Sequence, residues 1–252
     1  MAKTYAAAIR KAAYIFIASI LATSCVSARQ KSGKAVYKDG ETIIGYEGYT
    51  VSYNEKLLIP NWVSYELTAE ETDGPYSRSD KSFRQDESVM VRQADSYDYR
   101  NSGWSRGHMA PAGDFKWSDN AMWETFYFTN CCPQDQSLNA GQWNTLEQKV
   151  RSWARKYGSV TVITGPIVEK DSNRTIGRNK VAVPDAFFKA VLAGGQAIAF
   201  VMLNHNHNAN MQKCAMTIDS LEKITGFDFF SDLDDEDEKR IEESYTLKHW
   251  GL

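Results

Sequence analysis

Trp143, Leu146, Val150, Trp153 and Tyr157 recur at steps of three and four residues, and Gly158 follows them. This spacing predicts an amphipathic helix over 141–157 with one apolar stripe, stopped by the glycine. Such a stripe has to be buried, so its aromatic residues read as core and not as a platform for stacking bases. The segments around it supply strands to pack against. Tyr49–Tyr53 and Trp62–Leu67 alternate, Phe126–Asn130 and Val160–Thr164 read as strands, and Phe187–Leu192 with Ala197–Leu203 form a hairpin about Gly194-Gly195. Ser118 caps a short helix over 119–125, and Asp219 to Glu222 fits a capping box for a helix that Gly226 ends. Residues 71–100 are polar and irregular, with a turn at Gly74-Pro75, and Trp104 to Phe115 reads as a rigid loop. The pattern is that of one mixed domain of helices and strands.

With 252 residues, 42% hydrophobic and 24% charged, the chain is long enough for one sizeable core and lacks the composition of a disordered or repetitive protein. A formal net charge of -3 argues against a basic nucleic-acid coat protein, but it allows an enzyme whose cations are confined to one cleft. Residues 228–243 hold nine acidic residues against two basic ones. They read as an acidic, solvated helix far from any polyanion, and the EF-hand loop with its central glycine is missing.

The N-terminus has a different character. Lys3, Arg10 and Lys11 precede a ten-residue apolar run from Ala12 to Leu21, and small residues and Cys25 follow. That order marks residues 1–28 as an export signal, too short for a stable membrane span. Two processing routes stay open: a lipoprotein type with lipidated Cys25, or ordinary cleavage at Val26-Ser-Ala28. Residues 29–45 read as a tether and 46–252 as the folded domain. The expected location is the periplasm or cell envelope, through a lipid anchor at Cys25 or as a secreted protein. Cys131, Cys132 and Cys214 remain, and a bond from one of the vicinal pair to Cys214 stays open. His205-Asn-His207 has no cysteine partner nearby and reads as a polar loop.

The chemistry concentrates between residues 105 and 147. Arg106-Gly-His108 alone is weak, since a single loop histidine is usually a surface or hydrogen-bonded residue. Arg106, Asn130, Gln134, Asn139 and Glu147 lie close to it in sequence, and together they match what phosphodiester hydrolysis needs. A neutral imidazole takes a proton from water, while an arginine and one hard cation stabilise the charge that develops. Mg²⁺ keeps most of its waters and asks for one or two protein oxygens, which Asn139 at the start of the helix can provide. Glu147 is roughly 80° around and about 12 Å along an ideal helix from Asn139. That offset favours contact through water, or a plain surface position beside the stripe.

Ser105-Arg-Gly-His-Met-Ala-Pro111, Met122–Asn130, Pro133-Gln134 and Leu138–Trp143 with Leu146-Glu147 resemble the DNA/RNA non-specific endonuclease family, whose signature is Asp-Arg-Gly-His. Val162–Pro166, Val181–Pro184, Phe187-Phe-Lys189 and Ile218–Gly226 extend the similarity over roughly residues 46–232. The resemblance implies an α+β domain with a central antiparallel sheet and a ββα-metal (His-Me finger) site. It implies cleavage of DNA and RNA with little sequence preference, using Mg²⁺ or Mn²⁺. It makes His108 the general base, Asn139 the metal ligand, Glu147 a group acting on metal-bound water and Arg106 a phosphate contact. Asn130 and Gln134 match positions that line the site in support. A further arginine lies upstream of an aromatic-x-x-Asp segment in the family. Phe83-Arg-Gln-Asp86 matches that segment, pointing to Arg78 with Arg84 as a rival. Ser105 departs from the signature's Asp and offers only neutral hydrogen bonds there. Other readings of the same residues are a catalytically weak surface protein that captures nucleic acid, and a phosphodiesterase for small or lipid substrates.

Overall fold

The computed structural model describes residues 41–205 and 210–252. The first strands are β1 Glu41–Gly45, β2 Thr50–Asn54, β3 Ile59–Thr68, β4 Ser105–His108, β5 Cys131–Gln134 and β6 Ser159–Ile167. Then come β7 Thr175–Ile176, β8 Val181–Ala182, β9 Ala186–Ala193, β10 Gln196–Leu203 and β11 Ala215–Met216. The helices are α1 Ser96–Tyr99, α2 Asp119–Glu124, α3 Gln136–Leu138, α4 Asn144–Tyr157, α5 Met211–Cys214, α6 Ile218–Thr225, α7 Asp235–Glu242 and α8 Leu247–Trp250.

A seven-stranded sheet in the order β1-β2-β3-β6-β9-β10-β11 runs through the domain, and every pairing in it is antiparallel. Side chains alternate along each strand, so neighbouring residues serve opposite layers. Val162 and Phe187 belong to one apolar cluster, and Ile163 and Phe188 to the other. On the first face α4 buries Leu146, Val150, Trp153 and Ala154. Trp153 stacks on Phe200 with centroids 6.2 Å apart. Each such large apolar side chain contributes roughly 1.5–3 kcal/mol. On the second face Ile218 and Leu221 of α6 and Ile241 of α7 join Phe229 and Phe230. The β9–β10 turn uses Gly194 (φ +57°) and Gly195 (φ +74°), a left-handed pair that side chains other than glycine rarely adopt.

Several expectations need correction. The tether does not reach residue 45, because Glu41–Gly45 is a strand in register with β2, with Ile44 opposite Val51 and buried. The export signal at 1–28 and residues 29–40 lie outside the described residues, as does His207. Phe126–Asn130 is not a strand: Phe128–Asn130 forms one tight turn and the strand follows at Cys131–Gln134. The reason is Asn130, whose buried side chain bonds three backbone groups and fixes a turn there. The first half of the expected rigid loop is β4, paired antiparallel with β5 so that His108 faces Cys131. Thr217, not Asp219, caps α6, with its hydroxyl accepting from the Ser220 amide at 3.2 Å. Cys131 and Cys132 are buried thiols, so neither is bonded to Cys214.

Candidate active site

β4, the turn at Pro111–Gly113 and α4 with the segment entering it enclose a cleft of about 390 Å³, lined among others by Arg78, Arg106, His108, Asn139, Asn144, Glu147 and Arg151. Five residues predicted as catalytic or metal-binding therefore meet in one place. Asn130 and Gln134 do not line it. Both are fully buried behind it.

Asn130 holds the histidine loop. Its Oδ1 accepts from the Ala110 amide at 2.8 Å, and its Nδ2 donates to the carbonyls of Ala110 and Thr125 at 2.9 Å each. The Met109 amide also donates to the Asn130 carbonyl at 3.0 Å. Gln134 packs over the strand that carries the motif. A Cβ on Gly107 would collide with the Gln134 side chain, which explains the glycine between Arg106 and His108.

His108 is 8% exposed and wedged between Phe83 at 4.6 Å and the edge of Phe126 at 4.9 Å, centroid to centroid. Its Nε2 is shielded from solvent and has no hydrogen-bond partner among the described residues. Burial, with the Arg78 guanidinium adding to it, pushes the imidazole down from 6.5 to about 3. The ring is therefore neutral across the physiological range. Phe83 reaches it because the 83–86 segment clamps onto residues 126–128. The Arg84 amide donates to the Phe126 carbonyl, and the Phe128 amide to the Arg84 carbonyl, both at 3.0 Å. Tyr46 Oη donates to Asp86 at 2.8 Å and anchors the far end.

That arrangement separates the two rival arginines. Arg78 is exposed, lies 5.7 Å over the Phe126 ring and faces the cleft. Arg84 lies over Trp123 at 4.5 Å and Tyr127 at 5.2 Å, and it lines a different groove. Arg106 donates to the Ser96 carbonyl at 3.1 Å and rests 5.3 Å over Tyr99. Ser105, where the signature has Asp, donates to the Gln136 side chain and ties β4 to α3. It does not hold the arginine.

The helix carrying Asn139 is not ideal. Asp135 caps α3 by accepting from the Ser137 and Leu138 amides. A wide π-type turn then runs over Asn139–Trp143, broken at Gly141 (φ -102°, ψ -109°), before α4 begins. Asn139 therefore sits one turn inside the helical segment and not at its start. The ideal-helix offset between Asn139 and Glu147 does not apply across this turn, and both face the cleft. The side-chain oxygens of Asn139, Asn144 and Glu147 make no hydrogen bonds among the described residues. Spare amide and carboxyl oxygens on one wall are the donor set that a hard divalent cation takes.

Beneath them lies a polar group that sequence reasoning missed. Arg151 Nη1 pairs at 2.6 Å with Asp114, a fully buried carboxylate that also accepts from Tyr65 Oη at 2.8 Å. Burial raises the Asp114 carboxyl, while Arg151 and Tyr65 pull it back. Lys189, fully buried on β9, places Nζ 4.7 Å over the Trp143 ring with no hydrogen-bond partner among the described residues. Burial pushes both Glu147 and Lys189 toward their neutral forms, and their mutual attraction opposes it. A lysine inside the apolar run 186–193 was the available sequence signal for Lys189. Arg151 and Asp114 carried none, since each looks like an ordinary surface charge.

A family model described as DNA/RNA non-specific endonuclease matches residues 27–236. The mitochondrial nuclease EXOG of Danio rerio is 37% identical over 204 residues, covering 73% of this chain and 60% of that protein. Mitochondrial endonuclease G of Homo sapiens is 37% identical over 200 residues, covering 73% and 67%. The chain thus spans about three fifths of the length of the EXOG protein it matches. A crystal structure of an EndoG/EndoGI complex superposes with a TM-score of 0.70 at 33% identity, over 76% of this chain and 86% of that one.

Proposed function

Because the chain belongs to the DNA/RNA non-specific endonuclease family, we propose that it hydrolyses phosphodiester bonds in DNA and RNA at the cleft around His108. The observation that carries this reading is a buried, neutral imidazole facing arginines across a wall of uncommitted oxygens. A protein that only captured polymer would gain nothing from a histidine held neutral against Phe83 and Phe126.

In this mechanism Nε2 is sealed, which leaves Nδ1 as the nitrogen that takes a proton from a water in the cleft. Protonation there is costly in the free protein. A substrate phosphate beside the ring offsets the charge and brings the imidazole closer to the working range. Arg78 and Arg106 hold that phosphate, and their charge favours the extra negative charge of the transition state. Arg151 is engaged by Asp114 and fixes the floor. Asn139 would hold the cation, with Asn144 and Glu147 as neighbouring oxygens, and Mg²⁺ is the ion that best fits so few protein donors. When bound, such an ion supplies Lewis-acid stabilisation of the phosphoryl and leaving oxygens. Recognition through phosphate reads no base edges, which supports action on both polymers.

Export to the periplasm or cell envelope, with Cys25 as lipid anchor or with cleavage after Ala28, is part of the same proposal and rests on the Lys3–Ala28 order alone. Mass spectrometry of the mature N-terminus distinguishes the two routes. The activity is tested by incubating supercoiled plasmid and a structured RNA with the chain in Mg²⁺ and in EDTA. Cleavage of both in Mg²⁺ and of neither in EDTA is expected. Intact polymers in Mg²⁺, Mn²⁺ and Ca²⁺ alike would overturn the proposal.

A further inference from the structure

The acidic segment near the C-terminus holds more than a solvated face. α6 and α7 lie on the sheet face opposite α4, anchored by Ile218, Leu221 and Ile241 in the second apolar cluster. Between them gather Asp219 and Glu222 of α6, Asp228 of the following loop, and Glu238 and Glu242 of α7. One carboxylate oxygen from each of Asp219, Glu222 and Glu242 lies within 4.8 Å of the others. The same holds for Asp228, Glu238 and Glu242, so Glu242 is common to both groups.

Glu242 is the unusual member. It is 9% exposed, and its Oε1 is shielded from solvent without a hydrogen-bond partner among the described residues. A buried carboxylate is costly unless something positive meets it. Yet the charges that bear most on it are Glu222, Glu238, Asp219 and Asp228, all acidic. The basic side chains of α7 are engaged elsewhere. Lys239 lies 3.8 Å from Glu243, and Arg240 bonds Asp237 at 2.6 Å and the Gly195 carbonyl at 3.0 Å. Glu222 accepts from the Phe229 amide at 2.8 Å, which steadies the loop bringing Asp228 in.

We propose that Glu242 is the central ligand of a calcium-class cation site, completed by Asp219, Glu222, Asp228 and Glu238. Oxygens bound to one Ca²⁺ at about 2.3–2.6 Å lie within about 5 Å of each other, the spacing seen in both groups. Mg²⁺ draws its ligands closer and tolerates crowded carboxylates less well. The ligands come from two helices and a loop, which is why no EF-hand motif marks them. The bound ion joins α6 to α7 and acts on stability, independently of the cleft around His108.

The test is thermal unfolding of the metal-free full chain with Ca²⁺ added over excess Mg²⁺, alongside calorimetric titration of Ca²⁺. At ~100-fold excess over Kd, wild type should gain roughly 5–10 °C. Glu242→Gln should lose that gain, melt higher than wild type in EDTA, and keep Mg²⁺-dependent DNA cleavage. Asp228→Asn, at an exposed position, provides a second variant and should weaken Ca²⁺ binding at least ten-fold. Asn139→Ala should retain the full Ca²⁺ shift. No Ca²⁺ shift in wild type, or an unchanged shift and titration in both carboxylate variants, would overturn the site.

Discussion

Replacing His108 with alanine should change how stability depends on pH, in a way that reports how deeply the imidazole is held neutral. In the folded chain burial and Arg78 push its pKa down to about 3, against 6.5 for an ordinary histidine. A group with a depressed pKa takes its proton first in the unfolded state. Its contribution to stability is therefore present above about pH 6.5 and is lost as pH falls toward about 3. The slope in that window is about 1.4 kcal/mol per pH unit, which integrates to about 3 kcal/mol between pH 7 and pH 4. His108→Ala removes this term while leaving every other titration in place. At pH 7 the variant also loses the packing of the ring on Phe83 and Phe126, a cost that does not vary with pH. Urea unfolding of both proteins in EDTA, at steps from pH 7 to pH 4, isolates the difference. The gap between them should shrink by about 3 kcal/mol as pH falls. A gap that stays constant would show that His108 titrates normally, and the account of a sealed, neutral base would fail.

Other variants probe the rest of the site. Asn130→Ala strands the Ala110 amide and the Ala110 and Thr125 carbonyls, so denaturant titration should show a loss of about 3–5 kcal/mol together with a fall in cleavage rate. Arg151→Met leaves Asp114 buried beside Tyr65 without its paired guanidinium, and the same titration should show a cost of about 3–5 kcal/mol. Asn139→Ala should raise the Mg²⁺ needed for half-maximal cleavage roughly ten-fold or more, and Glu147→Gln by no more than that. An unchanged requirement in Asn139→Ala would remove that residue as the ligand. Arg106→Ala should slow cleavage of DNA and RNA by similar factors, whereas Arg84→Ala, stacked on Trp123 outside the cleft, should leave rates near wild type.

Much of this was legible in the chain, for identifiable reasons. The stripe from Trp143 to Tyr157 and the hairpin around Gly194-Gly195 carry strong periodic and turn signals, and α4, β9 and β10 follow them closely. The motif around His108 pointed to a candidate cleft, and Arg78, Arg106, His108, Asn139 and Glu147 all line it. What escaped depends on tertiary context. The wide turn at Asn139–Trp143 leaves no periodic trace, so an ideal helix misjudged the relation of Asn139 to Glu147. Phe126–Asn130 has strand-like composition, and only the burial of the Asn130 amide converts its end into a turn. Asp114 and Arg151 are ordinary charges until β3 brings Tyr65 beside them. The acidic stretch read as solvated because its count says nothing of which carboxylate faces inward, and Glu242 does.

On the proposed mechanism His108 performs the chemistry while other residues hold polymer and metal. The most direct test is single-turnover cleavage of a labelled duplex DNA by wild type and His108→Ala in saturating Mg²⁺, with duplex binding measured on the same samples. His108→Ala should bind the duplex within a few-fold of wild type while its cleavage falls by about 10²–10⁴-fold. Cleavage by folded His108→Ala at a rate near wild type would contradict it.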